Sequence, residues 1–412
     1  MTFVSFGLSE PIIRALNKQG YHTPTPIQNQ AIPAILSGKD VMATAQTGTG
    51  KTAAFTLPLL QLLDSLKPES PGTIQALILT PTRELAAQVG KSVENYGCNL
   101  ALKSATIYGG VGIGPQKKQL KNGVNILIAT PGRLLDLCSQ GCADLSRVKH
   151  FILDEADRML DMGFIPDIRR IIKQLPKQRQ NLLFSATFSP KIRQLAKGML
   201  RSPVVIDVSP KNATTDSIRQ IIHPVIKAEK AKLLCHLFQD RNWEQALVFT
   251  RTKHGANRLS RLLEKEGISA AAIHGNKSQG ARTRTLAEFK KRKIRALVAT
   301  DIAARGLDIQ QLPQVVNFDL PDVAEDYVHR IGRTGRAGLK GHAVSLVSMD
   351  EQKSLIGIEK LLRQSLASEI VKGFEPNHET IVKKPDINIS ARKEKTVQQQ
   401  TFRKPQRRNK QR

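Results

Sequence analysis

The stretch "LILTPTRE" beginning at Leu77 returns as "LVFTRTKH" at Leu247, and "LIATPGRLLD" at Leu127 returns as "LVATDIAARGLD" at Leu297, both 170 residues later. Between them, "ATIYGG" (Ala105 to Gly110) returns as "AAIHGN" (Ala271 to Asn276) at a spacing of 166. Three repeats at nearly one offset predict two homologous halves. Most of these segments begin on a short apolar run, and such runs recur along the chain as "DVMAT", "ALILT", "NILIAT", "HFILDE", "NLLFSAT", "ALVFT", "IRALVAT" and "VVNFDL". None alternates polar with apolar residues, which suits strands buried on both faces of a parallel sheet. Longer helix-like stretches separate them, so the expected class is α/β with two tandem parallel-sheet domains.

The joint between the halves is expected at "VSPKNATTDS", Val208 to Ser217, where Pro, Asn, Ser and Thr replace the apolar pattern. This predicts a first domain over 1–207, a linker over 208–218 and a second domain over 219–371. Residues 372–412, ending "TVQQQTFRKPQRRNKQR", have too few large apolar side chains to offset their ordering entropy, and are expected to form a basic, disordered tail.

With 63 Lys and Arg against 35 Asp and Glu, the chain carries a formal charge of +28. A polyanionic partner follows as the first expectation, because each phosphate neutralised by a basic side chain releases condensed counterions. The tail does not account for this alone: from Lys383 onward there are 11 basic and 2 acidic residues, which leaves the body at +19. Aromatic residues make up only 4%, which argues against a broad base-stacking platform. The four cysteines, Cys98, Cys138, Cys142 and Cys235, are too scattered for a disulfide framework. The start "MTFVSFGLSE" lacks a basic, then apolar, leader, and no apolar run nears the roughly 20 residues that span a bilayer. A reduced, cytoplasmic protein without membrane contact is expected.

Chemistry concentrates first at "AQTGTGKT", Ala45 to Thr52. It fits the phosphate-loop pattern G-x-x-x-x-G-K-[ST] except for Ala45, and it lies between a strand-like and a helix-like segment, as such a loop requires. Ala45, Gln46, Thr47, Gly48, Thr49 and Gly50 would present backbone N–H groups to the phosphates of ATP. Lys51 would reach the β and γ phosphates, and the Thr52 hydroxyl would ligate Mg²⁺. Alanine is tolerable at position 45 if φ there is negative. At the end of the run "HFILDEAD", Asp154 suits Mg²⁺, through a water, and Glu155 suits the general base. "HRIGRTGR" offers Arg330, Arg333 and Arg336 as positive charge for the developing γ-phosphoryl group. These arginines lie in the other half, so their use requires the halves to close over one nucleotide.

Taken together, these motifs resemble the DEAD-box ATP-dependent RNA helicases of superfamily 2, most closely the bacterial RhlE-type proteins, over about residues 3 to 370. The resemblance implies two RecA-like domains. "GYHTPTPIQ" is similar to the Q motif (about 3–31), implying Gln28 on the adenine edge, Tyr21 on the ring and Phe6 as the upstream aromatic. "PTRELA", the paired glycines at 109 and 110 and "TPGR" imply RNA contacts at Arg83, Gly110, Thr130 and Arg133. "SAT" implies that Ser185 and Thr187 link hydrolysis to strand separation. "LVFTRTK", "QGAR" and "VATDIAARGLD" imply RNA contacts at Arg251, Arg282 and Thr300, with Gly306 and Asp308 near the nucleotide. The last motif implies Arg333 and Arg336 as the arginine fingers.

The expected function is an RNA-dependent ATPase that parts short RNA duplexes and remodels RNA or RNA–protein complexes by closure of its two domains. RNA would be held mainly by its backbone, with little sequence preference. Ribosomal precursors or the RNA-decay machinery are the expected cellular partners.

Overall fold

The computed structural model describes residues 2–45, 48–65, 72–208, 218–304, 312–335 and 341–375. Gln46, Thr47, Gly306, Asp308 and Arg336, most of the expected linker and most of the tail lie outside the described residues.

Seven short strands build the first sheet: β1 (Val41–Thr44), β2 (Ala76–Leu79), β3 (Ser104–Ile107), β4 (Ile126–Ala129), β5 (His150–Leu153), β6 (Gln180–Ser185) and β7 (Val204–Asp207). Seven more build the second: β8 (Ile218–Pro224), β9 (Ala246–Phe249), β10 (Ala270–Ile273), β11 (Ala296–Ala299), β12 (Gln314–Asn317), β13 (Gly341–Val347) and β14 (Ala367–Ser368). The strand orders are β3-β4-β2-β5-β6-β1-β7 and β10-β11-β9-β12-β13-β8-β14. Position for position these are one order written twice, and every pairing is parallel. The three sequence repeats fall on β2 and β9, β4 and β11, and β3 and β10.

Burial explains why the strands read as unbroken apolar runs. Ala76 and Ile78 face one core with Val41, Ala43 and the helix Lys51–Asp64, whereas Leu77 and Leu79 face a second core with Met42 and the helix Pro131–Ser139. A parallel sheet covered by helices on both faces has no side left for water, so period-two polarity is lost.

The strands deliver their carboxyl ends to the groove between the sheets, where open α/β folds bind ligands. β1 leads to the glycine loop, β5 to Asp154, β6 to Ser185, β2 to Arg83 and β4 to Thr130. In the second half, β9 leads to Arg251 and β11 to Thr300. Among the described residues no helix is long and apolar enough to cross a membrane.

Candidate nucleotide and RNA site

The glycine loop is shaped from two sides. Gly48 and Gly50 have φ of 89° and 92°, left-handed values that Gly alone adopts without strain. Gln28, 5% exposed, accepts from the Thr25 N–H at 2.9 Å and donates from Nε2 to the Gly50 carbonyl at 3.1 Å. A Cβ on Gly50 would lie 2.4 Å from that nitrogen, so close approach as well as φ demands glycine. Ala45 is not among the residues with positive φ; it is fully buried and donates its N–H to the Ser185 carbonyl at 3.2 Å. That is the setting in which alanine replaces glycine without penalty.

Lys51 opens the helix that follows, is 6% exposed, and its Nζ is buried without a hydrogen-bond partner among the described residues. A buried ammonium without hydrogen bonds is costly, and an anion placed against it lowers the cost. Asp154, 2% exposed, accepts the Glu155 N–H at 3.0 Å. Burial pushes its carboxyl up to about 7, with Lys51 opposing and Glu155 adding to the rise. Glu155 itself sits at φ 53°, a strained conformation of the kind stored at functional positions.

Arg333 of the second half, 6% exposed, lines the same cavity as Lys51, Thr52, Asp154 and Glu155, a space of about 680 Å³. Arg330 does something else. It is 2% exposed and donates to Asp301 at 2.6 and 2.7 Å, to Asn317 Oδ1 at 3.1 Å and to the Asp319 carbonyl at 2.6 Å, with its guanidinium 4.9 Å over the Phe249 ring. Every arm is spent inside its own half, so Arg330 is not available to a phosphoryl group.

Tyr21 is half exposed on the cavity wall, its ring 6.3 Å from that of Tyr96. Phe6, the aromatic expected upstream, is displaced from this role. Phe3 lines the cavity, while Phe6 packs edge-on against it at 6.2 Å, because the single turn Phe3–Phe6 points the earlier ring inward.

The expected RNA-facing residues divide in a similar way. Arg83 lies over Gly110, where a Cβ would meet its Nη1 at 1.9 Å. Thr130 is 9% exposed at the start of its helix. Arg133 donates to the Val111 carbonyl at 3.2 Å and pairs with Asp136 at 3.5 Å. Arg251 is open, its side chain 41% exposed, between Asp322 at 3.3 Å and Glu351 at 3.6 Å. The Thr300 carbonyl accepts from Ala303 and Ala304. Ser185 is fully buried and its Oγ accepts the Thr187 N–H at 3.3 Å, while Thr187 is exposed.

Arg282 departs from expectation. It is 8% exposed and forms a 2.9 Å ion pair with Glu84 of the first half, and Gln279 donates to the same carboxylate at 3.0 Å. Both lie in the cavity wall, so this arginine's geometry joins the two halves and does not leave it open to a strand of RNA. Sequence reasoning missed Glu84, and also Asp157, whose carboxylate accepts the Ala186 N–H at 3.1 Å and so ties the acidic run to the Ser185 turn.

The chain matches the DEAD/DEAH box helicase family over residues 25–195 and the helicase conserved C-terminal domain over residues 229–338. It is 43% identical over 366 residues to the DEAD-box ATP-dependent RNA helicase CshA of Bacillus subtilis, covering 89% of this chain and 73% of that protein. Among solved structures, it superposes with a TM-score of 0.79 on S. cerevisiae Dbp5 bound to RNA and ADP BeF3, at 32% identity over 90% of this chain and 95% of that one. A DEAD box protein from Methanococcus jannaschii, at 42% identity over 90% of this chain and 99% of that one, gives only 0.52. These names do not single out the RhlE-type subfamily. A doubled parallel sheet, a glycine loop facing an acidic strand end and these matches over most of the chain place it in the DEAD-box family of ATP-dependent RNA helicases.

Proposed function

We propose that the chain hydrolyses ATP in response to RNA and uses closure of its two halves, 1–207 and 219–371, to part short RNA duplexes and remodel RNA–protein complexes. The observation that carries this reading is the convergence of Arg333 with Lys51, Asp154 and Glu155 on one cavity. The closer superposition on an RNA- and nucleotide-bound relative than on a more identical chain supports reading this arrangement as the closed one.

In this scheme Gln28 reads the adenine edge while Tyr21, backed by Tyr96, stacks on the ring. Gly48, Thr49 and Gly50 wrap the phosphates, and Lys51 neutralises them. Glu155 orients and deprotonates the attacking water. Arg333 takes up negative charge on the γ-phosphoryl oxygens as it develops. Gln46, Thr47, Gly306, Asp308 and the second finger, Arg336, belong to the same proposal. Thr52 and Asp154 would hold Mg²⁺; the buried Asp154 carboxylate beside the loop fits an ion that keeps most of its shell as water and phosphate oxygen. When bound, Mg²⁺ supplies a Lewis acid to the phosphates.

RNA is proposed to run across both halves, over Arg83, Gly110, Thr130 and Arg133 and over Arg251 and Thr300, with Ser185 and Thr187 relaying closure. Contacts to phosphate and ribose imply weak sequence preference and discrimination of RNA from DNA through the 2′-hydroxyl. The basic tail would add salt-sensitive, non-specific affinity. Ribosomal precursors or decay intermediates are the proposed cellular substrates, in the cytoplasm. The direct test is ATP turnover with single-stranded RNA or DNA of one sequence, beside displacement of a short RNA duplex. Stimulation by RNA alone, with displacement, supports the reading; equal stimulation by DNA overturns it.

A further inference from the structure

Among the described residues, polar contacts bridge the cleft in at least two places. Glu84, Gln279 and Arg282 form part of the cavity wall, so their effects mix nucleotide binding with closure. Arg158 and Asp326 do not line that cavity, yet they pair across the cleft, Nη1 to Oδ1 at 3.6 Å, with side chains 6% and 16% exposed.

Each partner is part of a stiff element at the centre of the proposed chemistry. Arg158 lies in the helix Ala156–Asp161, which begins directly after Glu155. That helix is fastened to its own half by Met159 in the core and by Asp157 on the Ala186 N–H. Asp326 lies in the first turn of the helix Ala324–Ile331, which leads into Arg333. That helix is fastened to the second sheet by the buried Arg330 and by Tyr327, whose hydroxyl donates to Gln220 at 3.1 Å. The pair therefore joins two rigid bodies, one carrying the general base and the other the finger.

We infer that Arg158 is a positioning residue for ATP hydrolysis: through Asp326 it sets the register at which the finger-bearing helix docks beside Glu155, and so where Arg333 meets the γ-phosphoryl group. This rests on the reading of Arg333 as a finger. In this arrangement the two side chains are only 6% and 16% exposed, so the pair is largely out of water. Burying two charges is tolerable only if they meet, so a closure slipped by one turn separates a largely buried charge pair. The pair thus penalises wrong registers more than it strengthens the right one. The pair Lys227–Asp350, 71% and 49% exposed and within one half, has no such leverage.

The test uses the full chain. Arg158→Ala and Asp326→Asn should each lower RNA-stimulated kcat about tenfold at saturating ATP and RNA. ATP affinity measured without RNA should stay within about twofold, because neither Arg158 nor Asp326 lines the nucleotide cavity. The double variant should be no slower than either single one, and the exchanged pair Arg158→Asp with Asp326→Arg should regain most of the rate. Full-rate single variants, losses that multiply in the double variant, or an exchanged pair as slow as the singles would each overturn the inference. Arg333→Ala separates the two levels. If it turns over at the full rate, the finger reading itself has failed; if it is slow while Arg158→Ala is not, only the positioning role has failed.

Discussion

Gln28 Nε2 and the Gly50 carbonyl oxygen lie 3.1 Å apart, a hydrogen bond that ties the adenine-side helix Pro26–Leu36 to the phosphate loop. One amide thus shapes the loop with its nitrogen and holds its own helix start with its oxygen, at Thr25. Gly50→Ala is expected to lower the stability of the ligand-free protein by about 1 to 2 kcal/mol, since φ is 92° and the new methyl meets Gln28. Thermal unfolding checks it. Adding Gln28→Ala should relieve the steric share of the loss but not restore ATP binding.

Lys51→Met should abolish ATP turnover and leave RNA binding without nucleotide largely intact. Because the ammonium is buried with no hydrogen-bond partner among the described residues, the same change should hold or raise the melting temperature of the ligand-free protein. Calorimetry and a filter-binding isotherm read both outcomes. Loss of RNA binding together with a lower melting point would place Lys51 in the fold and not in the site.

Asp154 gives a pH signature. Its carboxyl titrates near 7 in the folded chain, above its unfolded value, so the folded state holds the extra proton between those values. Stability of the ligand-free protein should therefore fall as pH rises from about 4 to 7 by this group, with the full cost present above 7. Asp154→Asn, which can still accept the Glu155 N–H, should flatten that part of the curve. Unfolding curves at several pH values would show it, and an unaltered slope would assign the titration elsewhere.

Glu84→Gln should weaken the bridge to Arg282 while leaving both helices folded. The expected effect is a several-fold loss in the mutual enhancement of ATP and RNA binding, which is the differential affinity for the closed state. Equal enhancement in variant and parent would show that this pair does not hold the halves together.

The doubled sheet was legible because strands buried on both faces carry their own signal and because the halves repeat. The phosphate loop and Asp154 were legible for a related reason: each ends such a strand, and local pattern places it. Contacts that depend on the docking of the two halves left no local trace. Glu84 meets Arg282, and Arg158 meets Asp326, each pair far apart in sequence and on different domains. Three arginines within "HRIGRTGR" look alike as a string, yet the helix Ala324–Ile331 turns Arg330 into its own core and Arg333 toward the cavity. The exchange of Phe6 for Phe3 is of the same kind, because one turn of 3₁₀ helix decides which ring points inward.

The measurement closest to the central claim, one ATPase site completed by two halves, is RNA-stimulated ATP turnover by Arg333→Ala beside its ATP affinity. A fall in kcat of about 10³ or more with affinity changed only a few-fold is predicted. Turnover at the parent rate, or a loss carried wholly by ATP affinity, would contradict it.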